Sequence, residues 1–203
     1  MKFIRQMAYH KAKKNSINLK TNHQKRNEMY FGYQVLYGGI FKGIVFILSA
    51  FLLGILKPAL TIIAFFALIR ISAGGQHMES FTRCLIISCV LFLGLGFILK
   101  YINLSIEEII TLSIIVFSIL FYIIIRYAPR DTPYKPITNQ SQIKVLRIIS
   151  IGISGILMII QIIFITNEST YIAFAVCLGL LMGAFFVSNI GYKFFNFIDK
   201  VKL

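Results

Sequence analysis

The sequence predicts an all-α, polytopic integral membrane protein with six transmembrane segments and both termini cytoplasmic. Three observations predict it. Hydrophobic residues make up 58% of the 203 residues and mean hydropathy is +0.80, well above the roughly 45–50% apolar content of soluble domains. Uncharged apolar runs lie at 43–56, 58–69, 84–99, 109–125, 148–167 and 169–192, and the longest meet the roughly 20 residues that a bilayer core demands. Nineteen of the 21 lysines and arginines fall in segments that a six-span chain with its N-terminus inside leaves in the cytoplasm, where cations of short loops are retained. Only Lys57 and Lys100 fall outside, and Glu107, Glu108 and Glu168 sit at outer ends. A single span over 43–69, kinked at Pro58, would flip every later loop, divide the cations evenly and bury Lys57.

Residues 1–42 form a basic leader in which Phe3, Ile4, Met7 and Ala8 recur at helical spacing, the pattern of an amphipathic helix lying on the inner leaflet. A second stretch, Glu28 to Lys42, carries Met29, Tyr33, Leu36 and Ile40 on one stripe and leads into the first span; Tyr30, Tyr33 and Tyr37 suit the headgroup level. The first apolar run starts too far into the chain to be a signal-peptide core.

The runs 43–56 and 58–69 are short, and twelve residues of helix reach only about 18 Å against a hydrocarbon thickness of about 30 Å. The second helix therefore continues through Arg70 and Ile71 with the arginine snorkelling, or it stops within the inner leaflet, sheltered by protein. Three of the four prolines stand in the loop 126–147, at Pro129, Pro133 and Pro136. They terminate the preceding helix and stiffen the connection. Five basic residues and one acid, Asp131, make that loop either a docking surface or a plain positive-inside connector. Gly152 and Gly155, and Gly179 and Gly183, have spacings that allow close helix approach, within the chain or between protomers. The organisation is a basic interfacial region 1–37, a six-span membrane domain 38–192 containing a polar segment 70–84 and the basic loop 126–147, and a cytoplasmic tail 193–203.

The net charge of +14 puts a positive face on the cytoplasmic side, suited to anionic inner-leaflet lipid and to an acidic peptide. Nucleic acid is not expected, because the cations flank spans rather than form a folded aromatic and basic surface. The three cysteines, Cys84, Cys89 and Cys177, form no C-x-x-C pair and no metal-type spacing with histidine. Neither a disulfide framework nor a metal or other cofactor is expected. Cys89 and Cys177 lie inside apolar runs as small hydrophobes.

The chemistry concentrates in 70–84. His77 is the one imidazole near the spans, since His10 and His23 lie in the leader, and Cys84 is its cysteine neighbour at the membrane boundary. An imidazole that takes a thiol proton yields a thiolate able to attack a carbonyl. On one unbroken helix the two would share a face but stand about 10.5 Å apart along the axis, too far for a hydrogen bond. A dyad therefore requires a turn or helix break between them. Gly74-Gly75 supplies the freedom for it, Ser80 or Thr82 suits the cap of the helix carrying Cys84, and a thiolate in that first turn is favoured by the helix dipole and by Arg83. Candidates for a third group are Glu79, Ser80, Asp131 and Glu28, although Glu79 also suits an i, i+4 pair with Arg83. Gln34 is a candidate oxyanion donor.

The run Arg70...Gly74-Gly75-Gln76-His77...Cys84, the loop Arg126-Tyr-Ala-Pro-Arg-Asp-Thr-Pro-Tyr-Lys-Pro-Ile137, the Gly32-Tyr33-Gln34 patch and the six-span layout together resemble the accessory gene regulator protein B (AgrB) family. The resemblance covers about residues 25 to 195. It implies an integral-membrane cysteine endopeptidase with Cys84 as nucleophile and His77 as base, supported by Arg70 and Gly75, with Lys135 in the basic loop among the substrate-binding positions. It implies further that the substrate is an AgrD-like quorum-sensing propeptide bearing an amphipathic helix and an acidic tail. The tail is released as an acyl-enzyme thioester forms, and a cysteine or serine of the precursor then closes a thiolactone or lactone ring. The glycine-spaced last helices and the family's precedent favour a homodimer.

Two other classes compete. A small-molecule or peptide membrane transporter should carry ionisable positions or broken helices near the midplane, and the span interiors here are almost free of charge. A non-catalytic interaction protein would tolerate loss of the thiol.

Overall fold

A computed structural model describes residues 2–19, 22–75, 78, 80–130 and 139–200. The chain divides into two compact units, Met1–Leu53 and Gly54–Leu203. Among the described residues all regular structure is helical, and six helices are long and apolar enough to cross a membrane. The protein is a multi-pass membrane protein.

The first unit is a helical hairpin of α1 (Lys2–Asn18) and α2 (His23–Leu52). Asn22 starts α2, its side-chain oxygen accepting from the Lys25 N–H at 3.0 Å, the ordinary device for an orphan amide at a helix start. The expected apolar stripe of α1 splits. Ile4, Ala8, Ala12 and Ser16, spaced by four, are buried, whereas Phe3 and Met7 are exposed. Small residues on that row let α1 and α2 approach closely, with the Tyr9 ring edge-on to Tyr30 and Asn15 donating to the Tyr33 hydroxyl. The first span differs from the expected 43–56. No residue between His23 and Leu52 breaks the helix, so α2 is continuous over 30 residues, about 45 Å, and it stops where Gly54 turns the backbone to φ +65°.

The second unit holds α3 (Leu56–Ala73), α4 (Phe81–Tyr101), α5 (Ile106–Tyr127), α6 (Gln140–Thr166), α7 (Thr170–Val187) and α8 (Asn189–Lys200). Pro58 falls in the first turn of α3, where its missing N–H costs nothing. Of the two readings for this helix, the longer one holds: α3 runs past Arg70 to Ala73. Ser105 and Glu108 form a capping box at the start of α5, each side chain bonding the other's backbone N–H.

The centre of this unit is α7, apolar on every side, with thirteen of its eighteen residues buried. It packs against α3, α5, α6 and α8. A Cβ on Gly179 would stand 2.7 Å from the Ile62 carbonyl oxygen, and one on Gly183 would stand 3.2 Å from Ile69. These two glycines therefore serve an intrachain contact with α3. Gly152 and Gly155 face open space.

Cys177 is more than a small hydrophobe. Gln161 donates from Nε2 to the Ser113 hydroxyl at 2.6 Å and to the Cys177 sulfur at 3.4 Å, forming a buried polar knot across α5, α6 and α7. The last helix also departs from expectation. The apolar run 169–192 is cut at Ser188, and residues 189–200 form a separate amphipathic helix rather than a simple tail.

Candidate active site

The site is built where α3 ends. Gly74 caps the helix at φ +69° and Gly75 follows at φ +128°, both in backbone conformations that side chains rarely tolerate. The turn is fastened from outside. The Arg130 N–H donates to the Ala73 carbonyl at 2.8 Å, and the Gly75 N–H donates to the Arg130 carbonyl at 3.0 Å. This short parallel bridge ties the end of α3 to the start of the loop that follows α5. A Cβ on Gly74 would lie 2.3 Å from the Arg130 carbonyl oxygen, so only glycine permits the approach.

Arg70, in the last turn of α3, folds back over the turn. Its Nη1 donates to the Gly74 carbonyl at 2.9 Å, and its guanidinium lies 4.9 Å from the Phe186 ring centroid and 5.9 Å from that of Phe66. The two rings meet edge to face at 5.3 Å. Aromatic faces and a carbonyl suit a guanidinium withdrawn from water, because both present negative charge to it. The guanidinium is also within electrostatic reach of the Cys84 thiol, whose ionised form it attracts. Gly75 makes this geometry possible: a Cβ there would fall 1.8 Å from Arg70 Nη1 and 2.9 Å from the Phe186 carbonyl oxygen.

Cys84 stands in the first turn of α4. The helix starts at Phe81, so no continuous helix runs from 76 to 90, and Gly74, Gly75, Met78 and Ser80 lie outside helical structure. The Cys84 N–H donates to the Ser80 carbonyl at 3.0 Å. Its thiol is free and half-buried. Ser80 occupies the cap position, but its side chain makes no capping hydrogen bond, and Thr82 lies inside the helix. No side chain of the cap therefore takes up an amide of this first turn.

Arg83 reaches α8. It donates to the Ile198 carbonyl at 3.3 Å and to the Asp199 carbonyl, with an Asp199 carboxylate oxygen at 3.9 Å. The partners described for it are on α8; the expected pair with Glu79 lies outside the described residues. Arg130 reaches the same helix: its Nη1 donates to Asn189 Oδ1 at 2.9 Å and its guanidinium sits 4.5 Å from the Tyr192 ring centroid.

The structure brings together Arg70, Gly75, Ser80 and Cys84. His77, Glu79, Asp131 and Lys135 lie outside the described residues. Gln34 and Glu28 are on α2, in the first unit. Among the described residues no three His, Cys, Asp or Glu side chains gather as metal ligands. Sequence reasoning missed Arg130, Phe186 and α8 as parts of the site's frame. The loop motif contained Arg130, and the spacing of Ile190, Phe194 and Phe197 signalled the helix.

Residues 5–187 match the family described as Accessory gene regulator B. The Accessory gene regulator protein B of Staphylococcus aureus strain MW2 is 33% identical over 190 residues, which span 94% of this chain and 95% of that protein. The protein of the same name from Staphylococcus carnosus is 33% identical over 146 residues, covering 68% of this chain and 74% of its own length. An AgrB-like protein of Clostridium perfringens strain SM101 is 25% identical over 182 residues, with 85% and 83% covered. No solved structure matches the chain significantly. With its family features spread over most of its length, this chain belongs to the accessory gene regulator B family and has a role in the accessory gene regulator system.

Proposed function

We propose that this chain is an integral-membrane cysteine endopeptidase that removes the C-terminal tail of a membrane-associated, AgrD-like autoinducer propeptide and prepares it for cyclisation. The observation that carries this reading is the placement of Cys84 in the first turn of α4, which starts at Phe81 after the Gly74-Gly75 turn and lies within reach of the positive charge of Arg70.

His77 takes the proton of the Cys84 thiol, and the thiolate attacks the carbonyl carbon of the scissile peptide bond. Arg70 attracts the thiolate before attack, and the amides at the start of α4 offer donors to the oxyanion. When the tetrahedral adduct collapses, the C–N bond breaks and His77 returns its proton to the leaving amine, which departs as the new N-terminus of the tail. A thioester between Cys84 and the precursor remains. A precursor thiol or hydroxyl then attacks this thioester, closing the thiolactone or lactone ring and regenerating the Cys84 thiol. Exchange of one thioester for another is nearly isoenergetic, so the ring closes only where water is kept from the acyl-enzyme. The glycine turn at the end of a span, with Gly75 buried, suits that requirement.

The positive-inside bias puts this site on the cytoplasmic face of the cell membrane. The loop containing Lys135 and Asp131 complements an acidic tail there. Anionic inner-leaflet lipid and a second copy of the chain are the other partners of this reading. In cells that co-express the propeptide, Cys84→Ser and His77→Ala are each expected to abolish tail release, followed by mass spectrometry of the precursor. Cleavage that persists in either variant rules out the mechanism.

A further inference from the structure

The helix α8 carries a feature that the peptidase reading does not use. It starts one residue after α7 ends, and the joint is tight. The Ser188 hydroxyl accepts from the Gly191 N–H at 3.0 Å and donates to the Phe185 carbonyl at 2.8 Å. A Cβ on Gly191 would fall 2.0 Å from the Phe185 carbonyl oxygen, so α8 folds hard against the last turn of α7. Its position along the bundle axis is thus fixed by the end of a helix long and apolar enough to span the bilayer.

Around α8 the residues sort into three sectors. Gly191 and Phe195 are buried against the bundle, Phe195 lying 4.7 Å from the Phe186 ring centroid. Ile190, Phe194 and Phe197, spaced by four and three, form an adjoining apolar stripe that is exposed, Ile190 by 74% and Phe197 by 69%. Asn189, Lys193, Asn196 and Lys200 fall on the side away from the buried residues, with Lys193 and Lys200 bordering the stripe.

We infer that α8 is an interfacial helix whose Ile190–Phe194–Phe197 stripe docks into the surface of an anionic lipid leaflet. Three things select lipid as the occupant. The helix leaves a spanning segment with a single-residue joint, so it lies where hydrocarbon gives way to headgroups. Its apolar sector runs without interruption from the bundle to the exposed stripe, as a helix half in protein and half in lipid requires. The two lysines flank the stripe at the height of the phosphates and complement an anionic surface. Through Arg83, which reaches the carbonyls of Ile198 and Asp199, this lipid-seated helix holds the residue next to Cys84.

The chain contains no tryptophan, so a single introduced indole reports its own surroundings. The test uses full-length Phe197→Trp and Asn196→Trp proteins in vesicles of phosphatidylcholine and phosphatidylglycerol, with and without bromines at the top of the acyl chains. The Phe197→Trp emission should be blue-shifted, should lose most of its intensity to the brominated lipid and should resist aqueous iodide. Asn196→Trp should behave in the opposite way. Replacing phosphatidylglycerol by phosphatidylcholine should weaken the bromine quenching of Phe197→Trp. Ile190→Trp serves as a second reporter on the stripe should the first variant fold poorly. Equal iodide quenching at 196 and on the stripe overturns the inference. So does a blue shift that vanishes as the protein-to-lipid ratio falls, because that pattern means a second copy covers the stripe.

Discussion

Both ends of α3 are turned by glycines at positive φ, and the two turns could hardly be held more differently. At the start of the helix, Gly54 sits at φ +65° and is exposed, and the Lys100 ammonium donates to its carbonyl at 3.1 Å. A Cβ there would meet Lys100 Nζ at 3.6 Å, an ordinary contact. At the other end, Gly74 and Gly75 are pressed between the Arg130 backbone, the Arg70 guanidinium and the Phe186 carbonyl, with no room for a methyl group. The same local device thus marks a loose corner at one membrane face and an over-determined one at the other. Backbone conformations this unfavourable persist only where the surroundings enforce them, and such enforcement concentrates at functional sites. That difference points to the Gly74–Ser80 break as the working end.

The largest effect is expected from breaking the tight end directly. In Gly75→Ala the new methyl must displace the Arg70 guanidinium, because the Phe186 carbonyl closes the other side. A misplacement of about 1 Å near a reacting group costs on the order of 100-fold in rate, so propeptide cleavage should fall by at least that much. The protein should still insert in the membrane, as judged by its yield in the membrane fraction, since the six spans do not depend on this turn.

Arg70→Lys separates the shape of the cation from its charge. A lysine keeps the charge but loses the planar group that lies against Phe66 and Phe186 while donating to Gly74. Cleavage should drop by about 100-fold, the lower end of the loss on removing one preorganised electrostatic contact. The rate of Cys84 alkylation in Arg70→Lys should fall less than in Arg70→Met, because the ammonium still attracts the thiolate. Equal alkylation rates in all three proteins would detach Arg70 from the thiol.

Arg130→Ala loosens the fastening from outside. It removes the hydrogen bond to Asn189 and the contact with the Tyr192 ring but leaves the backbone bridge to Ala73 and Gly75 in place. Each lost contact is worth about 1 kcal/mol, so cleavage should decline by roughly five- to thirtyfold. Asn189→Ala should show part of the same loss if the side-chain link to α8 steadies the turn.

Much of this comparison was readable in the sequence, and the unread part has a physical reason. Six spans followed from composition and charge because hydrocarbon imposes length and excludes charge wherever the chain crosses it. The need for a break before Cys84 followed from helix pitch alone. Helix ends were harder. Whether α3 passes Arg70 or stops short of it was open in the sequence; Phe66 and the Gly74 carbonyl are local partners for the guanidinium, but the Phe186 ring that completes its place lies on α7, far away in sequence. The cut at Ser188 was hidden because apolar residues continue into α8, and hydropathy does not distinguish a spanning face from an interfacial one. Arg130 was visible in a motif, but its grip on Gly75 runs through its backbone, which no side-chain pattern reveals.

The smallest effect is expected at the loose end, and it sharpens the contrast. Gly54→Ala forces a side chain into the left-handed region, which costs roughly 1–2 kcal/mol, but the added methyl meets only the end of the flexible Lys100 chain. Thermal unfolding in detergent should register a loss of that size, while propeptide cleavage stays close to the wild-type rate. Lys100→Gln, which removes the cation that bonds the Gly54 carbonyl, should be equally silent in cleavage. A fall in cleavage at Gly54→Ala approaching that of Gly75→Ala would mean that strain at either end of α3 reaches Cys84 along the helix, and the site would then depend on the whole of α3 rather than on the contacts gathered around Gly74 and Gly75.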